Sequence, residues 1–325
     1  MSLQDVTDVS DLPRNSSQGR EESRSWYRFR HDGSLHDRLL TATIVLVLAV
    51  GLTAIALFLP YGRFLGVLFA GWIAAVSTFE VVRLFARDRM TTAYRPLWGV
   101  VLFCVLFLPS LGALSGAVDG VLGGEISILP TYLATVCSAV LLMVLLVFEG
   151  RFDLRRAEGF GSGLVVSFLL IGCCVPMLIL LSGVQGAVLL LWWLIGVVAL
   201  NDSAAYFVGR ACGKTKLAPD LSPKKTVEGS LAGLGVGTLA GIFLWGALVD
   251  FSVSSLMVAS LSFVVVLSAQ FGDLGKSYLK RVRGVKDFGA LLPGHGGVLD
   301  RFDALITAAP ILFCVFAAMG LVTCR

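Results

Sequence analysis

Long apolar stretches dominate this sequence and constrain the fold more than any other feature. A helix needs roughly 20 apolar residues to cross the hydrocarbon core of a membrane. Stretches of that length occur nine times, over residues 39–60, 64–85, 97–117, 128–149, 162–183, 186–207, 229–249, 253–274 and 303–323. Charged residues make up only 15% of the chain, against about 25% in a typical soluble domain. The sequence therefore predicts an all-α, polytopic membrane bundle of about nine transmembrane helices.

The basic residues are distributed unevenly between the two ends of these helices. In the nine-helix arrangement 24 of the 26 lysines and arginines fall on one side, and only Arg63 and Arg325 fall on the other. Because loops rich in lysine and arginine stay in the cytoplasm, the pattern predicts a cytoplasmic N-terminus. We therefore expect an integral multi-pass protein of the cell membrane (inner or plasma), with its polar loops on the cytoplasmic side.

The chain divides into a polar tail and a membrane domain. Residues 1–38 are polar and charged, and we expect them to form a disordered cytoplasmic tail. That tail is too long and polar for the basic region of a signal peptide. Residues 39–325 form the predicted membrane catalytic domain, which shows no basic soluble face that would bind nucleic acid.

The distribution of cysteine and histidine limits the metals that the chain can bind. Only His31, His36 and His295 are present, and most of the seven cysteines lie in apolar runs, where they pack as small hydrophobic residues. Any metal should therefore have oxygen ligands, which favours Mg²⁺ or Ca²⁺ over zinc.

Two polar segments on the predicted cytoplasmic side, residues 201–233 and 272–303, contain most of the unusual residues. Four of their aspartates are expected at one depth on three helices, and these are Asp202, Asp273, Asp300 and Asp303. A carboxylate near hydrocarbon is costly unless it is paired or coordinated. The pattern favours a shared metal site, and the alternative is that Asp300 or Asp303 caps a helix.

Basic residues and glycines are interspersed with these aspartates. The basic residues are Lys224, Lys225, Lys280, Arg281, Lys286 and Arg301. Glycine-rich backbone, as in residues 293–297, approaches phosphate oxygens closely, and lysine and arginine bind them. Acidic metal ligands beside phosphate-binding groups are typical of phosphoryl or nucleotidyl transfer, and no Walker A pattern is present. His295 either stabilises a turn or takes part in phosphate binding or proton transfer.

The second polar segment resembles the signature of the phosphatidate cytidylyltransferases, also called CDP-diacylglycerol synthases. The residues that carry this resemblance are Ser277, Leu279, Lys280, Arg281, Lys286, Asp287, Gly289, Leu292, Pro293, His295, Gly296, Gly297, Asp300, Arg301 and Asp303. The first segment resembles another block of that family, through Asp202, Ala205, Tyr206, Gly209, Arg210, Gly213, Ser222, Pro223, Lys224, Lys225, Thr226, Glu228 and Gly229. Phe79 and Glu80 are similar to an aromatic–Glu pair of the family. One departure is Lys276, where the family commonly has an acidic residue.

The resemblance implies transfer of CMP from CTP to phosphatidic acid, which gives CDP-diacylglycerol and pyrophosphate. It implies Mg²⁺ as cofactor, with K⁺ as a candidate second cation, and Asp273 and Asp300 as metal ligands. The implied catalytic residues are these two aspartates with Lys280, Arg301 and His295, and Lys280 and Arg301 also bind phosphate. The implied substrate-binding residues are Asp202, Ser222, Lys224, Lys225, Lys286, Asp287 and Asp303. The expected partners are CTP, phosphatidic acid, membrane lipids and a second copy of the chain.

Two other functions are compatible with a polytopic chain of this kind. A CTP-dependent kinase of a lipid alcohol would transfer the γ-phosphate instead of CMP. A transporter would carry charges near the middle of the membrane, and here the charges lie at helix ends on one side, which disfavours transport.

Overall fold

A computed structural model describes residues 63–86, 95–123, 125–150, 154–184, 186–249, 253–285, 288–289 and 297–318. Within these ranges eight helices are long and apolar enough to cross a membrane. They correspond to the second through ninth predicted stretches, so the prediction of an all-α polytopic membrane protein is confirmed. The first predicted stretch and the N-terminal tail lie outside the described residues, and the ninth helix and the orientation stay predictions.

The described helices follow one another with one short hairpin between them. They are α1 (Arg63–Ala86), α2 (Arg95–Gly123), α3 (Leu129–Gly150), α4 (Leu154–Ser167), a π-helical segment (Phe168–Cys174), α5 (Val175–Gly183), α6 (Ala187–Cys212), β1 (Lys216–Ala218), β2 (Ser222–Thr226), α7 (Val227–Leu248), α8 (Ser255–Val282) and α9 (Leu299–Ala318).

The crossing made by α4, the π-helical segment and α5 lies at the centre of the bundle. Of its span Gly161–Gly183, 67% is buried inside the protein, against 17% for the span Leu129–Leu146 of α3. Helices α1, α2 and α9 pack around the central crossing. Leucine, valine and phenylalanine side chains remain exposed on the outer helices, as expected where lipid replaces water.

The π-helical turn in the central crossing immediately precedes Pro176. Proline has no N–H to donate to the carbonyl four residues earlier, so the hydrogen-bond ladder of a regular helix cannot continue there. A local change of helical pitch is a common response to such a break. The rest of the crossing, on both sides of this turn, is α-helical.

Helices α6, α7 and α8 form a second packing unit through a face of small residues. The indole Nε1 of Trp193 donates a hydrogen bond to the carbonyl oxygen of Gly241 over 2.8 Å. Trp193 also meets Trp245 edge-on, with ring centroids 5.3 Å apart. Glycines allow such close approach between membrane helices, and a Cβ atom at Gly241 would lie against the side chain of Ser262.

Part of the described chain in each signature segment is helical, which corrects the prediction of both segments as loops. Helix α6 continues to Cys212, and α8 continues to Val282. The sequence stretches were delimited by apolar content, but a helix does not have to end where the hydrocarbon ends, and leucine, lysine and arginine sustain it. Between α6 and α7 the chain forms an antiparallel hairpin of β1 and β2, which was not predicted.

The hairpin is fastened to the first turn of α7. Thr226 ends β2 and caps the helix, because its Oγ1 accepts a hydrogen bond from the backbone N–H of Gly229 over 3.2 Å. The backbone N–H of Thr215 donates a hydrogen bond shared by both carboxylate oxygens of Glu228. The Thr215 nitrogen lies 3.1 Å from Oε1 and 3.2 Å from Oε2. The strand that carries Lys224 and Lys225 therefore has a fixed position relative to α7.

The packing of α7 gives a direct test of this fold. Gly241→Ala should destabilise the protein by about 1–3 kcal/mol, because the added methyl group overpacks the contact with Ser262. Gly235→Ala on the same helix is the matched control, since nothing lies within 4 Å of a Cβ atom there. Thermal unfolding of both variants in detergent measures the difference, and equal unfolding temperatures would contradict the packing.

Candidate active site

The continuation of α8 places its polar residues on one face. Asp273, Lys276 and Lys280 are separated by three and four positions, so they lie above one another along a helix. Gln270 extends the same face by one more turn towards the membrane interior. The part of the predicted loop that continues α8 is thus a helical row of one acidic and two basic side chains.

Close packing between α8 and α9 brings a second set of carboxylates to this row. A Cβ atom at Gly272 would collide with the side chain of Thr307, and Ser268 Oγ donates a hydrogen bond to the Thr307 carbonyl over 2.7 Å. Asp303 lies one helical turn before Thr307, and Thr307 Oγ1 donates a hydrogen bond to its backbone carbonyl. The contact at Gly272 therefore positions Asp303 opposite the charged face of α8.

Lys276 lies at the centre of the charged residues. Its Nζ is 3.0 Å from Asp273 Oδ1 and 2.7 Å from Asp303 Oδ2. It also donates a hydrogen bond to the backbone carbonyl of Asp300 over 3.0 Å. The side chain is 13% exposed, and an ammonium group has three N–H donors, so each donor has an acceptor.

Lys225 brings strand β2 into the same cluster. Its Nζ forms an ion pair with Asp273 Oδ2. Its neighbour Lys224 is exposed, as expected where consecutive side chains of a strand point in opposite directions. Arg281 on α8 donates a hydrogen bond from Nε to the carbonyl of Leu221 over 3.2 Å, which holds the turn of the hairpin close to the site.

Asp300 joins the first turn of α9 to α8 and to the preceding signature segment. Its Oδ1 is 2.8 Å from Lys280 Nζ. Its Oδ2 accepts hydrogen bonds from the backbone N–H groups of Phe288 at 3.0 Å and Gly297 at 3.2 Å. These partners precede α9, so Asp300 fastens the signature segment to Lys280, and both of its oxygens are engaged.

A different residue, Glu80 of α1, binds the first amides of α9. Its Oε1 accepts a hydrogen bond from Val298 N over 2.8 Å, and its Oε2 accepts one from Leu299 N over 3.0 Å. Glu80 is only 5% exposed. A Cβ atom at Gly297 would lie 2.7 Å from each carboxylate oxygen, so the absence of a side chain there lets Glu80 reach the helix. A carboxylate is favourable at this end of a helix, where amides are unsatisfied.

Asp202 is connected to the cluster through an amide network. Asn201 Nδ2 donates a hydrogen bond to Asp202 Oδ1 over 2.8 Å, and Gln270 Nε2 donates to Asn201 Oδ1 over 2.8 Å. Gln270 also binds Ser230 of α7. Asp202 interacts electrostatically with Lys225 and with Asp273 and Lys276 of α8. This network joins α6, α7 and α8 just below the ion pairs.

The structure brings together many of the residues predicted from the sequence. The predicted residues that meet in the cluster are Asp202, Lys225, Asp273, Lys280, Asp300 and Asp303. Lys224 and Arg301 are exposed, and Ser222 is half-buried at the start of β2. Lys286, Asp287 and His295 lie outside the described residues.

The carboxylates of the cluster are paired with lysines. Among the residues with described positions, no three histidine, cysteine or acidic side chains are grouped to hold a metal ion. Asp273 and Asp300 nevertheless come from neighbouring helices and are linked through Lys276, which contacts the carboxylate of one and the backbone of the other. Their assignment as metal ligands stays a prediction.

Sequence reasoning missed two structural roles in this site. Glu80 was noted only as half of an aromatic–Glu pair, and Lys276 only as a departure from a family pattern. A single acidic residue within a long apolar stretch is the signal for Glu80, because such a residue must find partners inside the protein. For Lys276 the signal is its spacing of three residues from Asp273, which places both side chains on one face once α8 is known to continue to Val282.

Comparison with known proteins identifies the family of this chain. The cytidylyltransferase family matches residues 38–319, a range that includes every helix described above. The chain belongs to the cytidylyltransferase family.

Individual relatives agree with this membership. The chain is 35% identical to a phosphatidate cytidylyltransferase of Pseudomonas aeruginosa over 297 residues, which cover 88% of this chain and 98% of that protein. It is 33% identical to the phosphatidate cytidylyltransferase of Bacillus subtilis over 247 residues, 75% of this chain and 86% of that protein. A phosphatidate cytidylyltransferase of Helicobacter pylori is 46% identical over 124 residues. That alignment covers 38% of this chain and 45% of the relative, so it spans less than half of either protein.

The contact between Glu80 and α9 gives a prediction for the site. Glu80→Gln should lower stability by about 1.5–3 kcal/mol, because an amide keeps one acceptor oxygen and loses a charge-assisted hydrogen bond to a buried N–H. Glu125→Gln, at an exposed glutamate between α2 and α3, is the control for loss of a negative charge. Thermal unfolding measures the effect, and a Glu80→Gln protein as stable as the control would show that this contact contributes nothing.

Proposed function

We propose that this protein is a phosphatidate cytidylyltransferase, which transfers CMP from CTP to phosphatidic acid and releases pyrophosphate. The observation that carries the proposal is the ion-pair cluster of α8, α9 and β2 at one end of a membrane bundle, which brings together Lys225, Lys280, Asp300 and Asp303 of the two signature segments. Near full-length similarity to the relatives of Pseudomonas aeruginosa and Bacillus subtilis supports the choice of substrates.

The cluster supplies lysines that can bind anionic substrates and carboxylates that can hold added cations. In it four aspartates (Asp202, Asp273, Asp300 and Asp303) face three lysines (Lys225, Lys276 and Lys280), a formal net charge of minus one. CTP and phosphatidic acid are both negatively charged, so a site of this kind needs further cations to bring them together. A lipid substrate also requires a site at the surface of the bilayer, and the cluster lies where α9 begins and where α8 continues beyond its predicted apolar stretch.

The donor atoms of the cluster fit Mg²⁺ in kind, because Mg²⁺ prefers one or two carboxylates together with substrate phosphate oxygens. Asp273 and Asp300 would hold it. Each oxygen of Asp273 accepts from one lysine, and a carboxylate oxygen has a second lone pair to offer. Bound Mg²⁺ supplies charge neutralisation and polarises the phosphate oxygens. A second cation such as K⁺ stays a prediction.

The lysines have the clearest part in the proposed reaction. A phosphate oxygen of phosphatidic acid attacks the α-phosphorus of CTP, and the bond between that phosphorus and the oxygen bridging to the β-phosphate breaks. Pyrophosphate leaves with the electron pair of that bond. Lys225 and Lys280 are positioned by Asp273 and Asp300 and bind phosphate oxygens, while exposed Lys224 and Arg301 attract the anionic substrates. The CMP group remains on the lipid as CDP-diacylglycerol.

The proposal predicts the effect of removing either carboxylate charge. Purified protein with labelled CTP, phosphatidic acid and Mg²⁺ should form lipid-linked CMP, and Asp273→Asn and Asp300→Asn should each reduce the rate to near background. Asn preserves the size of the side chain, so packing changes little. Asp220→Asn, at an exposed residue of the hairpin turn, is the control. Transfer of phosphate without CMP would indicate a kinase, and near-normal turnover of Asp300→Asn would show that Asp300 only fastens the chain.

The bacterial sources of the relatives fit a protein of the cell membrane. We propose that its site lies on the cytoplasmic side. Its support is the concentration of basic residues at the site end of the helices. The expected homodimer stays a prediction.

The orientation is tested by labelling single cysteines in a background without native cysteines. A cysteine at Lys214, close to the hairpin, should react with a membrane-impermeant reagent only after the cells are opened. A cysteine at Glu125, at the opposite end of the helices in the nine-helix arrangement, should react in intact cells. The reverse pattern would contradict the proposed orientation.

A further inference from the structure

The surroundings of the Lys276 ammonium resemble the ligand shell of a cation. Two carboxylate oxygens and one backbone carbonyl oxygen converge on Nζ at 3.0, 2.7 and 3.0 Å. These oxygens come from α8 and from two positions in the first turns of α9, so two helices meet at one positive charge. The shell is largely closed to solvent, with 13% of the Lys276 side chain and 8% of the Asp303 side chain exposed.

The dimensions of this shell suit an ammonium group. Mg²⁺ binds oxygen at about 2.0–2.1 Å and Ca²⁺ at about 2.3–2.6 Å, both shorter than the observed distances. Ordinary hydrogen bonds from nitrogen to oxygen span about 2.7–3.2 Å. The three oxygens therefore lie at hydrogen-bond distance from the ammonium nitrogen. To bind them, a divalent ion would have to displace Nζ and shorten these distances.

Without Lys276, the two carboxylates in this shell would be left to repel each other. Asp273 keeps a second partner in Lys225, but the only ion pair recorded for Asp303 in the described part of the chain is with Lys276. Asp273 and Asp303 interact electrostatically with each other, and two like charges in a buried site need a cation between them. The family resemblance makes this position unusual, because an acidic residue is common where this chain has Lys276.

We propose that Lys276 is the resident cation of the site, a positioning residue whose ammonium occupies the place between Asp273, Asp303 and the Asp300 carbonyl that a metal ion would otherwise fill. The protein without nucleotide then holds no divalent ion between Asp273 and Asp303. Any effect of Lys276 on catalysis rests on the proposed CMP transfer. Its effect on ion binding is measured without any substrate.

The test is a titration of the full-length protein with Mn²⁺, read by electron paramagnetic resonance in the absence of CTP. Mn²⁺ is a paramagnetic ion that binds the same oxygen ligands as Mg²⁺. Lys276→Gln should bind Mn²⁺ at least about tenfold more tightly than the unaltered protein, because a nearby positive charge no longer repels the ion. Lys276→Glu should bind it more tightly still, and Lys276→Arg should show no gain.

Unfolding temperature supplies a second measurement. Lys276→Gln should unfold at a lower temperature than the unaltered protein in a chelator, and Mn²⁺ should restore part of the loss. Lys276→Arg should show no such dependence on the ion. Lys214→Gln, at an exposed lysine before the hairpin, is the control for loss of one positive charge.

Two results would overturn the assignment. One is equal Mn²⁺ affinity of Lys276→Gln and Lys276→Arg. The other is Mn²⁺ binding by the unaltered protein that Asp303→Asn abolishes, and this comparison decides the question even if Lys276→Gln does not fold. Lipid-linked CMP formation is measured separately on the unaltered protein. Its absence would contradict the proposed function and leave the ion-binding result standing.

Discussion

The need to pair buried charges organises this protein. A carboxylate that loses water must gain a cation or several N–H donors in exchange. Asp273 and Asp303 meet this need through Lys276, and Asp300 meets it through Lys280 and two backbone amides. These contacts join β2, α8 and the first turn of α9, so the residues proposed to bind substrate are held in one network.

Close packing inside the bundle makes that network possible. The approach of α9 to α8 at Gly272 brings Asp303 within reach of Lys276. Gln270 donates hydrogen bonds to the Asn201 side chain and to the Ser230 carbonyl, and these fix α6 and α7 against α8 at the next level down. A shift of one helix along another would therefore break polar contacts as well as apolar ones, which favours a single arrangement of the site.

The sequence contained the architecture but only part of the site. The length of the apolar stretches identified all eight described crossings, because a helix must be long and apolar enough to cross the membrane whichever helices it packs against. The same measure ended α8 near residue 274, and so Lys276 and Lys280 were placed in a loop instead of on the face that carries Asp273. The hairpin and the partners of Glu80 depend on contacts that no local pattern encodes. The partners of Glu80 are backbone N–H groups, which every residue except proline has. No residue type in the sequence therefore marks them.

The contact between Glu80 and Val298 spans 218 positions of the chain, and this separation has a consequence for biogenesis. A ribosome makes α1 long before α9 exists, so the carboxylate of Glu80 enters the membrane without the two amides that will later receive it. A lone carboxylate in hydrocarbon is unfavourable, and α1 cannot reach its final environment until the last described helix has been inserted. Assembly of the site is therefore coupled to the synthesis and insertion of α9, and a nascent chain that stops before α9 leaves the carboxylate of Glu80 without these partners.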